Sequence, residues 1–231
     1  MPAAGRWAQG LTAQCEHEKK TESCEKLYDS KNEGKNMENI VIELVSSLMP
    51  VTDELKKILE EVTVFKSFKK GDILLREGES ADKYFIISKG CIRSYVNKDG
   101  EEKTLEFYTE GQIVVPINYD YQTQVPAIHY FDCIEDTVAA VSSPEYEKEM
   151  IQKFPLLESL APIVNEMAGK MMSGYQSFIL DFKTNSAKER YLKLTKERPD
   201  LIQRIPQYML ASYLGITPET LSRIRGRLSK K

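Results

Sequence analysis

The sequence predicts an α+β protein in three consecutive parts: a β-barrel or β-roll, a long amphipathic helix, and a C-terminal pair of short helices. Three observations carry that expectation. Glycines at Gly71, Gly78, Gly90, Gly100 and Gly111 recur at spacings of 7, 12, 10 and 11 residues, with short β-like runs between them. From Leu156 to Phe182 apolar residues recur at steps of three and four. From Ile205 to Lys231 two helical patterns flank a glycine on a basic background.

The opening of the chain, residues 1 to 36, is polar and poor in periodic apolar residues, and is expected to be a disordered tail. Apolar periodicity begins just after Met37, which makes Met37 an alternative translation start. Residues 37–155 are expected to form the roll domain. In TDELKKILEEV, Thr52 is placed to cap a short helix, with Leu55, Ile58, Leu59 and Val62 on one face. The period then shifts from helix to strand. Runs at Ile73–Arg76, Tyr84–Ser88, Cys91–Val96, Thr104–Tyr108, Ile128–Ile134 and Thr137–Ser142 read as strands, and Lys98-Asp99-Gly100 reads as a hairpin turn. Many short strands at regular spacing point to a closed or rolled sheet.

Residues 156–183 are expected to form a long helix with two apolar stripes. One runs through Leu160, Val164, Met167, Met171, Gly174 and Phe178, the other through Ala168, Met172, Tyr175, Ile179 and Phe182. One stripe suits packing on the chain's own sheet. The second suits a coiled-coil seam with another copy, so a homodimer is expected.

Residues 184–231 carry the helix pair. Pro206 opens a first helix ending near Leu214, Gly215 fits the turn, and Thr217 and Pro218 cap and start a second helix. Leu221, Ile224 and Leu228 would line its buried side against Ala211 and Leu214. Two short helices joined by a glycine turn make a helix-turn-helix. The exposed face would then present Glu219, Ser222, Arg223 and Arg227, flanked by Thr220 and Arg225. Arginine can bond guanine O6 and N7, and glutamate can accept from cytosine N4, so this face suits the major groove of double-stranded DNA. Arg225, Arg227, Lys230 and Lys231 suit phosphates, and Thr217 can bond one at the helix start. Charge agrees. Lys183 to Lys231 holds twelve Lys and Arg against four Asp and Glu, whereas the remainder holds 20 against 31. A basic end on an acidic body points to a polyanion partner.

Other chemistries find little support. Cys15, Cys24, Cys91 and Cys133 make no C-x-x-C pair, and an iron–sulfur site from Cys15, Cys24 and Cys133 lacks the usual close spacing. A metal-dependent enzyme on a β-roll needs clustered histidines, and the chain has only His17 and His129. No nucleophile–base pattern or P-loop suggests catalysis, so a non-enzyme without a metal or cofactor is expected. With no apolar run of membrane length and no signal core, the expected location is the cytoplasm. The rival reading is a ligand-sensing or scaffold β-roll whose terminal helices bind protein.

From about Met37 onward the chain resembles the Crp/Fnr transcription regulators, especially short members from Bacteroidetes-type bacteria. FKKGDILLREGESADKYFIISKGCIRSYVNKDGEEKTLEFYTEGQ carries the resemblance for the roll, and GITPETLSRIR carries it for the last helix. The resemblance implies a cyclic-nucleotide-binding-like double-stranded β-helix, a dimerisation helix and a winged helix-turn-helix. It implies base contacts at Glu219 and Arg223 and phosphate contacts at Thr217 and Thr220. Implied partners are a palindromic operator, a second copy, RNA polymerase and a small-molecule effector of unknown identity. The sequence departs from the family pattern twice. Gly111 is followed by Gln112 where nucleotide binders have Gly-Glu, and Pro126 stands about where their phosphate-binding arginine lies. No Lys or Arg occurs from Thr104 to Glu147, while eight acids do, so a cyclic-nucleotide phosphate lacks a cation there. Gly111, Gln112, Tyr175 and Gln176 are the candidates for another ligand. Lys231 follows directly on the recognition helix, so no wing is expected.

Overall fold

The computed structural model describes residues 39–117 and 125–228. The expectations for the tail 1–36, Met37, Cys15, Cys24 and His17 lie outside these residues. Two short helices come first, α1 (Ile40–Ser46) and α2 (Asp53–Val62). The Thr52 hydroxyl accepts the Leu55 N–H at 3.2 Å, so α2 is capped as its sequence requires, and Leu55 and Leu59 are buried.

Eight strands follow: β1 (Phe65–Phe68), β2 (Ile73–Leu75), β3 (Tyr84–Lys89), β4 (Ile92–Lys98), β5 (Glu101–Tyr108), β6 (Ile113–Val114), β7 (Tyr130–Cys133) and β8 (Thr137–Ser142). They form two antiparallel four-stranded sheets, ordered β1-β8-β3-β6 and β2-β7-β4-β5. Asp99 and Gly100, both at positive φ, make the two-residue turn that joins β4 to β5 in the register Lys98↔Glu101. Strand pairing sets the faces. Phe85, Ile87, Ala139 and Val141 point into the roll and join Phe131, Ile92 and Val114 in its core. Arg93 is buried with its charge matched, bonding Asp132 at 2.9 and 2.7 Å and Glu102 at 2.8 Å. His129 is a core histidine, fully buried and edge-on to Phe131 at 4.8 Å.

The helical half departs from the sequence reading at one boundary. Pro155–Leu160 is a 3-10 turn, and the long helix α4 starts only at Ala161 and ends at Thr184. Pro162 explains the break, because it suits only a first turn. Preceding it is α3 (Pro144–Lys153), capped by the Ser143 hydroxyl and unmarked by the strand-like pattern before it. Leu160, Ile163 and Met167 pack on the roll, whereas Val164, assigned to that stripe by sequence, is half exposed. The other stripe lies open: Met172 is 61% and Ile179 51% exposed.

After α4 come α5 (Ala187–Glu197), α6 (Pro199–Arg204), α7 (Gln207–Tyr213) and α8 (Pro218–Leu228). Ser186 and Glu189 close a capping box at the start of α5. A second apolar cluster holds these helices together through Tyr191, Leu194, Leu201, Leu210 and Leu221, and it takes in Cys91, Phe107 and Ile134 from the roll.

Gly90, with φ near +106°, tests the turn into β4, because an added Cβ would sit 2.5 Å from Thr137 Oγ1 and 2.7 Å from the Asp136 carbonyl. Gly90→Ala is expected to lower stability by more than about 1 kcal/mol, read from the urea midpoint. Gly78→Ala, also at positive φ but with open space around the new Cβ, should cost less.

Candidate nucleic-acid interface

Helices α7 and α8 form the expected helix-turn-helix, and the turn between them is fixed by backbone bonds. Gly215 N–H donates to the Ser212 carbonyl and Ile216 N–H to the Ala211 carbonyl, both at 3.0 Å, which is the Schellman pattern around a left-handed residue. Gly215 supplies that residue at φ +67°. Space demands glycine too, since a Cβ there would lie 2.7 Å from the Phe182 ring of α4. The Thr217 hydroxyl then accepts the Thr220 N–H at 3.3 Å and starts α8.

Burial divides α8 into two faces. Leu221 is 1% exposed, and Ile224 and Leu228 pack beside it on the second cluster. Glu219, Ser222, Arg223 and Arg227 all lie on the exposed side, as do Thr217 and Arg225, with Thr220 half-buried. Arg223 Nη2 donates to the Thr220 hydroxyl at 2.9 Å, which steadies the guanidinium along the helix. The Arg225 guanidinium donates to the Gln207 side-chain oxygen and so reaches back to α7. The Glu219 carboxyl is held below its ordinary pKa by its own backbone N–H, by Thr217 and by the Arg223 charge. It is therefore an acceptor at neutral pH. Anion affinity at the start of α8 and arginines further along it make one outward surface with donors and one acceptor in register.

That surface is seated on the roll. The Ser212 hydroxyl accepts the Thr104 N–H at 2.9 Å and donates to the Glu102 carbonyl at 3.1 Å, which ties α7 to β5. The Tyr213 ring stands edge-on to Phe107 at 5.5 Å and beside Phe178 of α4 at 5.8 Å. Arg190 knits the junction from α5, donating to the Asn185 carbonyl at 2.6 Å and the Leu214 carbonyl at 2.9 Å while lying 4.4 Å over the Phe182 ring. Arg204 of α6 donates to both oxygens of Glu110 at 2.9 Å, to the Gly90 carbonyl at 3.0 Å, and to Glu135.

The ligand candidates do not converge. Gln112 turns its side-chain oxygen onto the Thr109 N–H at 2.7 Å and, with Gly111, forms a turn. Tyr175 lies 3.3 Å, hydroxyl to hydroxyl, from buried Tyr108, while Gln176 is exposed. Inside the roll the sequence reading missed a different spot. Ser94 Oγ and both ring nitrogens of His129 are buried without a hydrogen-bond partner, and Ser94 pairs across the sheet with Phe131, the ring against which His129 packs. Orphaned polar atoms of this kind ask for a water or a ligand group. Only the alternation of His129 with Phe131 hinted at it. Among the described residues no group of His, Cys, Asp and Glu could hold a metal ion. Burial pushes the Cys91 thiol up to about 12 and Cys133 up to about 11, so both stay protonated.

Comparison with known proteins follows the same division. Residues 65–152 match the family model of the cyclic nucleotide-binding domain. The anaerobic regulatory protein of Haemophilus influenzae is 25% identical over 198 residues, covering 77% of this chain and 70% of its own. The fumarate and nitrate reduction regulatory protein of Yersinia pestis is 25% identical over 199 residues, covering 77% and 72%. Among solved structures, the c-di-GMP responsive global regulator CLP of Xanthomonas campestris superposes with a TM-score of 0.59 at 15% identity, over 76% of this chain and 90% of its own. CooA of Carboxydothermus hydrogenoformans, as a double mutant, gives 0.58 at 18% identity, over 80% and 83%. These two likenesses extend the fold match well beyond the roll.

The Arg204 clamp has a pH signature. Partial burial alone would raise the Glu110 pKa, but hydrogen bonds from Arg204, from the backbone of Glu110 and Gly90, and the Arg204 charge bring it down to about 2. A carboxyl depressed in the folded state stabilises above its unfolded pKa and loses that contribution as pH falls toward the folded value. Urea midpoints of the native protein should therefore drop between about pH 5 and pH 2. Arg204→Met should start lower at neutral pH and show a shallower drop across the same window. Equal slopes for the two proteins would remove the clamp from the account.

Proposed function

We propose that this chain, which belongs to the Crp/Fnr family, is a sequence-specific DNA-binding transcriptional regulator that works as a homodimer and carries no enzymatic activity. The observation that carries the reading is the outward face of α8, where Glu219, Ser222, Arg223 and Arg227 stand exposed opposite fully buried Leu221. In this reading residues 184–231 are the DNA-binding domain, α4 the dimerisation helix and the roll the effector domain. Glu219 and Arg223 read base edges from the first turns of α8, where helix-turn-helix contacts concentrate. Thr217, Thr220, Ser222, Arg225 and Arg227 hold phosphates and set the register.

Dimerisation supplies the geometry. The exposed stripe Met172, Ile179 and Leu180 is too apolar to favour water and is spaced to pair with its own copy across a twofold axis. A twofold pair presents two α8 helices to successive major grooves about 34 Å apart, so the operator is a palindrome. RNA polymerase is the expected further partner, and the cytoplasm the expected place of work. No helix among the described residues is long and apolar enough to cross a membrane.

Selection of bound sequences from a random DNA pool should return a palindrome. Arg223→Ala should lose roughly 1–3 kcal/mol of discrimination at one base pair in each half-site, whereas Arg227→Ala should weaken all sequences alike and flatten the salt dependence by about one counterion. Unchanged preference in the Arg223→Ala selection would remove Arg223 from base reading. Ile179→Asp should shift the protein to monomer in sedimentation and take operator binding with it.

A further inference from the structure

The outer side of the first sheet also carries a buried apolar patch. Tyr84 pairs with Ser142 and Ile86 with Ala140, so these four side chains share the face turned away from the roll core. Ile86 and Ala140 are buried, at 8% and 6% exposure, yet neither belongs to the two apolar clusters. Above them lies a cavity of about 630 Å³, roofed by Val41 of α1, Leu59 of α2, Met150 of α3, Leu160 of the 3-10 turn and Val164 in the first turn of α4. That volume falls in the range of small-molecule sites, and an apolar lining with few polar groups is what such sites use.

Its polar groups are selective. The Tyr84 hydroxyl donates to Glu147 Oε1, which leaves Oε2 as an acceptor at the cavity wall. Glu158 is the second carboxyl side chain on the lining, and among the described residues no Lys, Arg or His lines it. Burial pushes the Glu147 carboxyl above its ordinary range, and the Tyr84 bond only partly offsets it. An anionic head would meet the half-buried Glu147 carboxyl with no cation on the described lining to match it. A head that donates a hydrogen bond would instead satisfy the free carboxyl oxygen.

We propose that this cavity is an effector site on the outside of the roll, taking an apolar molecule whose head donates a hydrogen bond to Glu147 and carries no negative charge. It is separate from the roll interior around Ser94 and His129. Because Leu160, Ala161 and Val164 line it, an occupant touches the point where α4 leaves the roll.

The test is titration calorimetry on the full chain without DNA, so its outcome is independent of what α8 does. The paired probes are 1-decanol and decanoate, equal in chain length and opposite in head chemistry. Saturable binding of decanol, favoured over decanoate by about ten-fold or more, is expected for the native protein. Glu147→Gln offers a donor and removes the charge, so decanoate should gain and the preference should shrink or invert. Ala140→Phe should abolish binding of both probes. Should that variant fail to fold by circular dichroism, Val164→Trp at the half-exposed mouth fills the same space. No saturable decanol binding, an unchanged preference in Glu147→Gln, or full binding in a folded, cavity-filled variant would each overturn the assignment.

Discussion

Phe107, Cys91 and Ile134 belong to strands or turns of the roll, yet they are buried in the apolar cluster of helices α5 to α8 rather than in the roll's own core. Phe107 and Cys91 are completely covered. Removing a phenylalanine from water stabilises by roughly 1.5–3 kcal/mol, and that contribution exists only while the helical half is docked. The second apolar cluster therefore makes the orientation of α8 a property of the whole chain. Polar bonds then choose one pose among those that hydrophobic contact would tolerate: Ser212 on the β4–β5 hairpin, Arg198 on Thr109, and Arg204 on Glu110.

The long helix meets this docked unit at a single crowded point. Phe182 lies against Gly215, Arg190 lies over Phe182, and the same guanidinium holds the Leu214 carbonyl at the turn. Upstream on the same helix, Phe178 touches Tyr213 and Tyr175 touches Tyr108. Any displacement of α4 relative to the roll must either carry the helix-turn-helix along or break these contacts. Packed interfaces respond to small shifts by switching between arrangements rather than by stretching, so in the proposed reading a movement at one end of α4 would change half-site geometry at the other.

Elements whose local chemistry and tertiary role agree were legible in the sequence. Thr52 caps α2, Asp99-Gly100 turns the hairpin, and Gly215, Thr217 and Pro218 mark the turn and the start of α8, because each acts through bonds to near neighbours. β1 and β6 were not, since four residues and two residues give no period to read, and only pairing with β8 and β3 makes them strands. α3 and α5 did carry signals, Ser143-Pro144 and the Ser186–Glu189 box, but their mean composition is polar and their apolar faces are narrow. The 3-10 turn hid behind a continuous apolar pattern that Pro162 alone interrupts. Of the interface, the outward α8 residues could be placed by helical spacing. The docking clamp could not, because Arg204 and Glu110 are brought together by topology across 94 residues of sequence. The outer cavity was illegible for the same reason: α1, α2, β3, β8, α3, the 3-10 turn and α4 all contribute to it.

Charge arrangement completes the logic of the docked form. Residues 1–182 are acidic, with 31 Asp and Glu against 20 Lys and Arg, and the terminal 49 residues reverse that balance. Some of the basic residues are spent internally: Arg190 on carbonyls, Arg204 on Glu110 and Glu135, and Lys193 on Asp181. Of the exposed remainder, Arg223, Arg225 and Arg227 stand together on α8, whereas Lys183, Lys188 and Lys196 lie apart on α4 and α5. A duplex approaching from the roll side meets like charge, and one approaching α8 meets cations in the order the helix presents them. In the proposed reading, long-range fields would select the docking direction before any base is read, and short-range bonds from Arg223 and Glu219 would act only on an already oriented duplex. The same partition accounts for a roll with no cation between Thr104 and Glu147, because the side chains there that meet the helical half are acids and hydroxyls matched to its arginines.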